Sequence, residues 1–124
     1  MQIMTHFYGK VQKGAARGRQ LGFPTANLRL HKKIPEGIYA AQVLIDKTVY
    51  NAAAFIGSAK TFGEKEYKAE IYILDFSKDL YGKYLSVRLY KKIRDNKTFA
   101  GKEALILQME KDIKEIRKII SFGV

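Results

Sequence analysis

Apolar and polar residues alternate in short runs along most of the chain before residue 99. Alternation with a period of two is typical of a strand that is buried on one face. Leu85, Val87 and Leu89, for example, fall on one face of such a run. The Asp46-Lys47 pair separates two runs and predicts a tight turn between them. The runs predict strands over residues 6–12, 37–46, 48–56, 69–76 and 84–93.

The pattern changes its period near the end of the chain. Apolar residues there recur at spacings of three and four, which is the period of one helical face. They predict a helix over about 99–120, with an apolar stripe of Leu105, Met109, Ile113, Ile116 and Ile120. Five or six short strands and one helix favour a mainly β fold, a small closed barrel with the helix packed on it, because closure removes exposed strand edges.

The composition is that of one globular domain, which we place at residues 1–124. Hydrophobic residues make up 47% of the chain, which is enough for one modest core. The chain has no cysteine, so disulfides and thiolate metal sites are excluded. No apolar run approaches the ~20 residues of a membrane helix, and the first ten residues do not resemble a signal peptide, so we expect a soluble cytoplasmic protein.

The chain is strongly basic. It has 23 Lys and Arg residues against 12 Asp and Glu residues, which gives a formal net charge of +11. Such a charge attracts polyanions and small anions alike, so it does not choose between RNA, a membrane surface and a nucleotide. Part of it could serve only to keep the protein soluble.

Residues 13–27, KGAARGRQLGFPTAN, form the strongest candidate for a binding loop. Three glycines, Gly14, Gly18 and Gly22, let the backbone approach a ligand closely. Arginines such as Arg19 suit phosphate oxygens, and glycine-bearing turns can form anion-binding nests. The usual nucleotide signatures are absent, because AFIGSAKT (54–61) lacks the glycines of a P-loop.

The end of this loop offers oxygen ligands. If PTAN is extended, Thr25 and Asn27 project from the same face, since side chains of a strand alternate. A hydroxyl and an amide oxygen side by side can bind a hard cation such as Mg²⁺. The alternative is an ordinary proline turn, in which Thr25 and Asn27 only hydrogen-bond the local backbone.

Glu70 is a candidate general base in the run AEIYILDF (69–76), on the face of Tyr72, Leu74 and Phe76. Its alternative is an exposed carboxylate at a strand end. The run DLYG (79–82) predicts a turn. The two histidines, His6 and His31, are too few to indicate a metal cluster or a catalytic dyad.

Several motifs, in order, resemble the riboflavin kinase domain, which occurs alone or as the C-terminal half of bifunctional FAD synthetases. They are GKVxxG…RGRxLGFPTAN at the start, then PEGIYAAQV (35–43), IGSAKTF (56–62), AEIYILDF, DLYG, KKIRDNKTF (91–99) and QMEKDI (108–113). The resemblance covers nearly the whole chain. It implies a six-stranded Greek-key β-barrel with a C-terminal α-helix, and the reaction of ATP with riboflavin to give FMN and ADP.

The resemblance also implies roles for single residues. Thr25 and Asn27 would hold Mg²⁺ and nucleotide phosphates, and Gly14 and Arg19 would lie in a flap over ATP. Glu70 would be the base for the ribityl 5′-hydroxyl. Arg94 stands where the family has an arginine in the loop that covers the flavin.

The chain departs from the family pattern at two positions. Phe55 stands where the family usually has Asn before Ile-Gly, and Lys60 stands where it usually has Pro. The adenylyltransferase half of the FAD synthetases is absent from these residues, so we expect FMN as product and no FAD.

We expect a monomer whose partners are the small molecules ATP and riboflavin, with no nucleic-acid or membrane partner. The chief alternative is a non-enzymatic basic β-barrel that binds flavin or RNA. A kinase acting on a different small alcohol is a further alternative that the residues leave open.

Overall fold

Six strands and one helix make up the regular structure of the computed structural model, which describes residues 3–13, 25–58, 67–76 and 78–123. The strands are antiparallel to their neighbours and close into a barrel. The elements are β1 (Thr5–Gln12), β2 (Ala26–Arg29), β3 (Gly37–Ile45), β4 (Thr48–Ser58), β5 (Tyr67–Ile73), β6 (Tyr84–Arg94) and α1 (Lys102–Gly123).

The strand order around the barrel is β1-β2-β5-β4-β3-β6, and β6 pairs back with β1. Strands β3, β4 and β5 are consecutive neighbours, and β6 returns to lie beside β3, which is the Greek-key arrangement. The predicted six-stranded Greek-key barrel with a C-terminal helix is therefore confirmed. The predicted turn between β3 and β4 is confirmed as well, and Asp46 adopts a left-handed φ of 56° there.

The barrel interior mixes large and small side chains. Fully buried residues include Tyr39, Leu28, Ile56 and Ile71, and the alanines between them let the two walls approach. Leu85, Val87 and Leu89 all point into this core, as their alternation predicts. The small interior residues are Ala26, Ala41, Ala52, Ala54 and Ala69.

Helix α1 packs on the outer wall of the barrel. Ala40 of β3 and Ala53 of β4 are fully or almost fully buried beneath Ile116 and Ile120 of the helix, because small side chains allow the helix to come close. The C-terminal half of the predicted apolar stripe, Ile113, Ile116 and Ile120, is therefore the face that packs on the barrel. Among the described residues, no helix is both long enough and apolar enough to span a membrane.

The structure differs from the predicted elements at three places. β2 is a separate strand that alternation alone did not identify, because it has only four residues. β5 ends at Ile73, since Asp75 turns the chain with a φ of 59°, so Phe76 packs on the interior core instead of sharing the face of Glu70. The helix begins at Lys102, after the predicted start at about residue 99.

Candidate active site

A row of neighbouring residues crosses the outer wall of the barrel on four strands. Asn27 of β2 lies directly opposite Glu70 of β5, and Glu70 lies directly opposite Phe55 of β4. On the other side of Asn27 lies Gln12, the last residue of β1. The neighbours of Asn27 and Glu70 in sequence point into the core, so the row itself faces outward. Directly opposed residues have Cβ atoms about 4.5–5.5 Å apart, so Asn27 and Glu70 can contact one ligand together.

Three polar side chains on β2, β5 and the residue before β2 have no hydrogen-bond partner among the residues that the structure describes. Asn27 and Glu70 are half-buried, and Thr25 is half-buried two positions before Asn27, with the buried Ala26 between them. This is the alternation that PTAN predicts. Within the part of the chain that the structure describes, the side chains of Thr25, Asn27 and Glu70 make no hydrogen bond or ion pair. The described residues therefore do not engage this hydroxyl, amide and carboxylate in contacts that stabilise the fold.

Phe55, one of the two departures from the family pattern, borders this polar group. Its ring is half-buried and packs against the apolar residues beneath α1. It therefore separates the polar side chains of β2 and β5 from the helix, and gives Glu70 an apolar neighbour. Lys60, the other departure, lies outside the described residues.

Arg94 lies farther along the same row. Ile38 of β3 is opposite Phe55 on one side and opposite Arg94 of β6 on the other. Three strand spacings thus separate Arg94 from Glu70, which is at most about 14 Å along the wall. Arg94 is the last residue of a strand rather than part of a loop, and two irregularities in the β3–β6 register precede it.

The guanidinium of Arg94 is held by the helix. Its Nε donates to Oδ1 of Asp112 at 2.9 Å and its Nη2 donates to Oδ2 at 2.8 Å. Asp112 is only 3% exposed, and Gln108 donates a further bond of 2.9 Å to it. Paired, parallel bonds of this kind fix the orientation of both groups. Arg94 is thus anchored at the junction of β6 and α1.

The segment 95–101, between β6 and α1, is tied to this junction. Arg94 Nη1 donates to the carbonyl of Asp95 at 3.1 Å, and its guanidinium carbon lies 5.8 Å from the centre of the Phe99 ring. Asn96 donates to the carbonyl of Ile56 at 3.0 Å, one residue beyond Phe55. The segment therefore borders the outward row at its β4 end.

An ion pair supports the start of this segment. Lys92 lies 2.5 Å from Asp95. The hydrogen bond from Lys92 lowers the pKa of the Asp95 carboxyl, and the same bond raises the pKa of the Lys92 ammonium. Both groups therefore keep their charge at neutral pH.

Gly14 and Arg19 lie outside the described residues, as does most of the loop 13–27. In the described ranges, no group of three or more His, Cys, Asp or Glu side chains could hold a metal ion.

Asp112 was missed by the sequence analysis. It falls within the apolar stripe, three residues after Met109 and four before Ile116. A carboxylate at such a position requires a cationic partner, because an unpaired buried charge is strongly unfavourable. A charged residue in an otherwise apolar stripe was therefore the available signal. Arg94, directly after the predicted strand 84–93, was a possible cationic partner.

Comparison with known families decides which kind of barrel this is. The family model described as riboflavin kinase matches residues 1–120. The chain belongs to the riboflavin kinase family. The resemblance drawn from the sequence motifs is thus confirmed over almost the whole chain.

Individual relatives agree with this assignment. The chain is 41% identical over 117 residues to the trifunctional protein RibF/MnmA of Mycoplasmoides gallisepticum, covering 90% of this chain and 18% of the relative. It is 37% identical over 119 residues to the bifunctional riboflavin kinase/FMN adenylyltransferase of Bacillus subtilis, covering 91% and 38%. The chain therefore spans well under half the length of these curated relatives.

A solved structure shares the fold. The crystal structure of riboflavin kinase from Trypanosoma brucei matches with a TM-score of 0.68 and 27% identity, covering 95% of this chain and 80% of that one. The closed barrel with its outer helix is thus the fold of a riboflavin kinase.

Proposed function

We propose that this chain transfers the γ-phosphoryl group of ATP to the 5′-hydroxyl of riboflavin, giving FMN and ADP. The family match over residues 1–120 is the observation that carries the proposal. The outward row supports it, because the residues that the resemblance assigns to phosphate and to base catalysis, Asn27 and Glu70, are direct neighbours across two strands.

Glu70 would accept the proton of the attacking hydroxyl. In this step a bond forms between the riboflavin 5′-oxygen and the γ-phosphorus, and the bond from that phosphorus to the β,γ-bridging oxygen breaks. The proton passes to the carboxylate, and ADP leaves. The side chain of Glu70 is half-buried beside Phe55 and has no hydrogen bond or ion pair with the described residues, which suits a base that must accept a proton from substrate.

Thr25 and Asn27 would hold Mg²⁺ together with the nucleotide phosphates. Both offer neutral oxygens, which Mg²⁺ accepts, and both are without a hydrogen-bond partner among the described residues. Two neutral ligands hold a hydrated cation weakly, so the ion would bind mainly as the metal–nucleotide complex. When bound, it would offset charge on the transferring phosphoryl group.

Gly14 and Arg19 would cover the phosphates, and Arg94 would serve the riboflavin side of the site. Arg94 supports this through its contacts with Asp95 and Phe99, which position the segment 95–101 beside the row. In this arrangement the flavin would lie toward β4 and α1, and ATP toward β2.

The test is to incubate the purified chain with riboflavin, ATP and Mg²⁺ and to separate flavins by chromatography. We expect FMN to accumulate with ADP in equal amounts. Reactions without ATP or without Mg²⁺ are the controls. Riboflavin that binds but is never phosphorylated would indicate the alternative, a flavin-binding barrel without kinase activity.

A further inference from the structure

Strands β6, β1 and β2 contribute only basic and neutral side chains to the outer surface of the barrel. These three strands are adjacent in the barrel, and none of their residues is Asp or Glu. Lys10 and Arg88 point outward from β1 and β6, and His6 lies directly opposite Arg88. Part of the net positive charge is therefore gathered on one continuous surface.

Two tyrosines on this surface stack in the open. The rings of Tyr8 and Tyr84 lie 5.4 Å apart with an angle of 14° between their planes. Their residues are 62% and 57% exposed. Single exposed aromatic residues are common on protein surfaces. An exposed stacked pair is different, because it offers flat apolar faces that pack neither in the barrel interior nor beneath α1.

Cations alternate with these rings along the line between β1 and β6. Lys10 lies directly opposite Tyr84, and Lys83 precedes Tyr84 in the chain. Beyond them, the Lys13 ammonium lies 5.9 Å from the centre of the Tyr81 ring, which is 59% exposed. We call this line the β1–β6 seam: His6, Tyr8, Lys10, Lys13, Tyr81, Lys83, Tyr84 and Arg88.

The backbone makes the seam continuous. Val11 N–H donates to the carbonyl of Lys83 at 2.8 Å, and Gly82 N–H donates to the carbonyl of Val11 at 3.0 Å. The turn that carries Tyr81 is thus held against the end of β1. At about 3.4 Å per residue, the seam is about 24 Å long from His6 to Lys13. Two acidic residues lie at its far end: Asp46, 3.6 Å from Lys83, and Asp79, whose carboxylate accepts from Tyr81 N–H.

We propose that the β1–β6 seam binds single-stranded nucleic acid, with bases on the faces of Tyr8 and Tyr84 and phosphates beside Lys10 and Lys83. Interleaved cations and aromatic faces are the two features such sites combine. A duplex hides its base faces, and a small anion would not need a surface of this length. The proposal goes beyond riboflavin phosphorylation and does not depend on it, and it differs from the expectation that no nucleic acid is bound.

The experiment is an anisotropy titration of a fluorescent oligouridine RNA of about 12 nucleotides, without ATP or flavin. The first variant is Tyr8→Thr/Tyr84→Thr, which keeps β-forming residues on both strands. The second is Lys10→Gln/Lys83→Gln. Its matched control is Lys111→Gln/Lys118→Gln, which removes the same charge from exposed positions of α1. Melting curves confirm that each variant is folded.

We expect the tyrosine variant to bind about 5- to 140-fold more weakly for each stack lost, with an unchanged salt dependence. We expect the Lys10→Gln/Lys83→Gln variant to reduce the slope of log K against log salt by about 1.4, since each phosphate contact on a single strand contributes about 0.7. The α1 control should leave both quantities near those of the unmodified chain.

Four outcomes would overturn the proposal. The first is that no RNA binds at about 50 mM salt, where phosphate contacts are strong. The second is that the tyrosine variant binds RNA with wild-type affinity. An equal loss in the α1 control would indicate general attraction by net charge. A dimer that depends on Tyr8 and Tyr84, seen by sedimentation without RNA binding, would make the seam a contact between copies.

Discussion

Arg94 and Asp112 join the end of β6 to the middle of α1 through two parallel hydrogen bonds of 2.9 and 2.8 Å. The side chains are 16% and 3% exposed, so this ion pair is largely withdrawn from water. It lies where the helix meets the barrel and where segment 95–101 begins. The pair therefore fixes helix, strand and segment relative to one another.

Removing one partner of this pair should destabilise the fold strongly. Arg94→Met leaves the Asp112 carboxylate buried without its cation, and such losses typically cost about 3–5 kcal/mol of unfolding free energy. The double variant Arg94→Met/Asp112→Leu should recover much of that loss, because apolar replacements of a buried pair are often neutral. Denaturant unfolding measures both.

Arg117→Met is the matched control, since Arg117 pairs with Asp75 on the exposed side of α1. We expect a small effect there, as for most surface ion pairs. A double variant no more stable than Arg94→Met would contradict the account, because the cost would then come from lost packing of the arginine side chain.

The regular elements of the fold could be predicted from local patterns. Leu85, Val87 and Leu89 are buried on one face of β6, and Ile116 and Ile120 are buried in α1, as their periods require. The spacing of apolar residues along a strand or a helix depends only on which side of that element faces the core. The turn at Asp46 was equally local.

Other features depend on partners distant in the chain. β2 is recognisable only through its pairing with β1 and β5, and Asp112 is acceptable on a buried face only because Arg94 meets it. For the candidate site, the alternation of Thr25 and Asn27 was predictable, but their placement beside Glu70 was not. That placement is set by the register between β2 and β5, which are not consecutive strands.

The ion pair between Asp75 and Arg117 should make stability depend on pH in acid. The hydrogen bond from Arg117 lowers the pKa of the Asp75 carboxyl below its usual value, with the charge of Arg117 acting in the same direction. A lowered folded-state pKa stabilises the protein above the usual Asp range, and this contribution is lost as pH falls through the folded-state value. Asp75→Asn should therefore lower the melting temperature slightly at pH about 7, and this difference should shrink as the pH falls below the usual Asp range.

Asn is a suitable replacement because it tolerates the left-handed φ of 59° at this position. Asp46→Asn is the control, since Asp46 has a similar φ of 56° and, in the described ranges, its ion pair is a longer contact of 3.6 Å with Lys83. The difference in melting temperature from the unmodified chain should change with pH more for Asp75→Asn than for Asp46→Asn. Equal profiles would mean that the Arg117 pair does not hold in solution.

Thr25→Ala and Asn27→Ala should each raise the Mg²⁺ concentration needed for half-maximal kinase activity. Each removes one of two proposed neutral ligands, so the metal–nucleotide complex should bind more weakly and turnover should fall. Titrating Mg²⁺ at fixed ATP measures the change. Thr48→Ala, at an exposed position at the start of β4, is the matched control. Wild-type Mg²⁺ dependence in both site variants would mean that Thr25 and Asn27 do not bind the metal. The alternative, an ordinary proline turn, would then stand.

Glu70→Gln should separate base catalysis from binding and stability. The substitution keeps the size of the side chain but cannot accept the hydroxyl proton, and general-base catalysis typically contributes about 10²–10⁴-fold. We therefore expect kcat to fall by about that factor while the riboflavin Kd, from quenching of flavin fluorescence, changes little. The melting temperature should also hold, because the Glu70 side chain makes no hydrogen bond or ion pair within the described ranges. Glu110→Gln, the same change at an exposed position of α1, controls for lost charge. A Glu70→Gln enzyme with wild-type kcat would remove Glu70 from the chemistry, whereas one that melts far lower would make it a structural carboxylate.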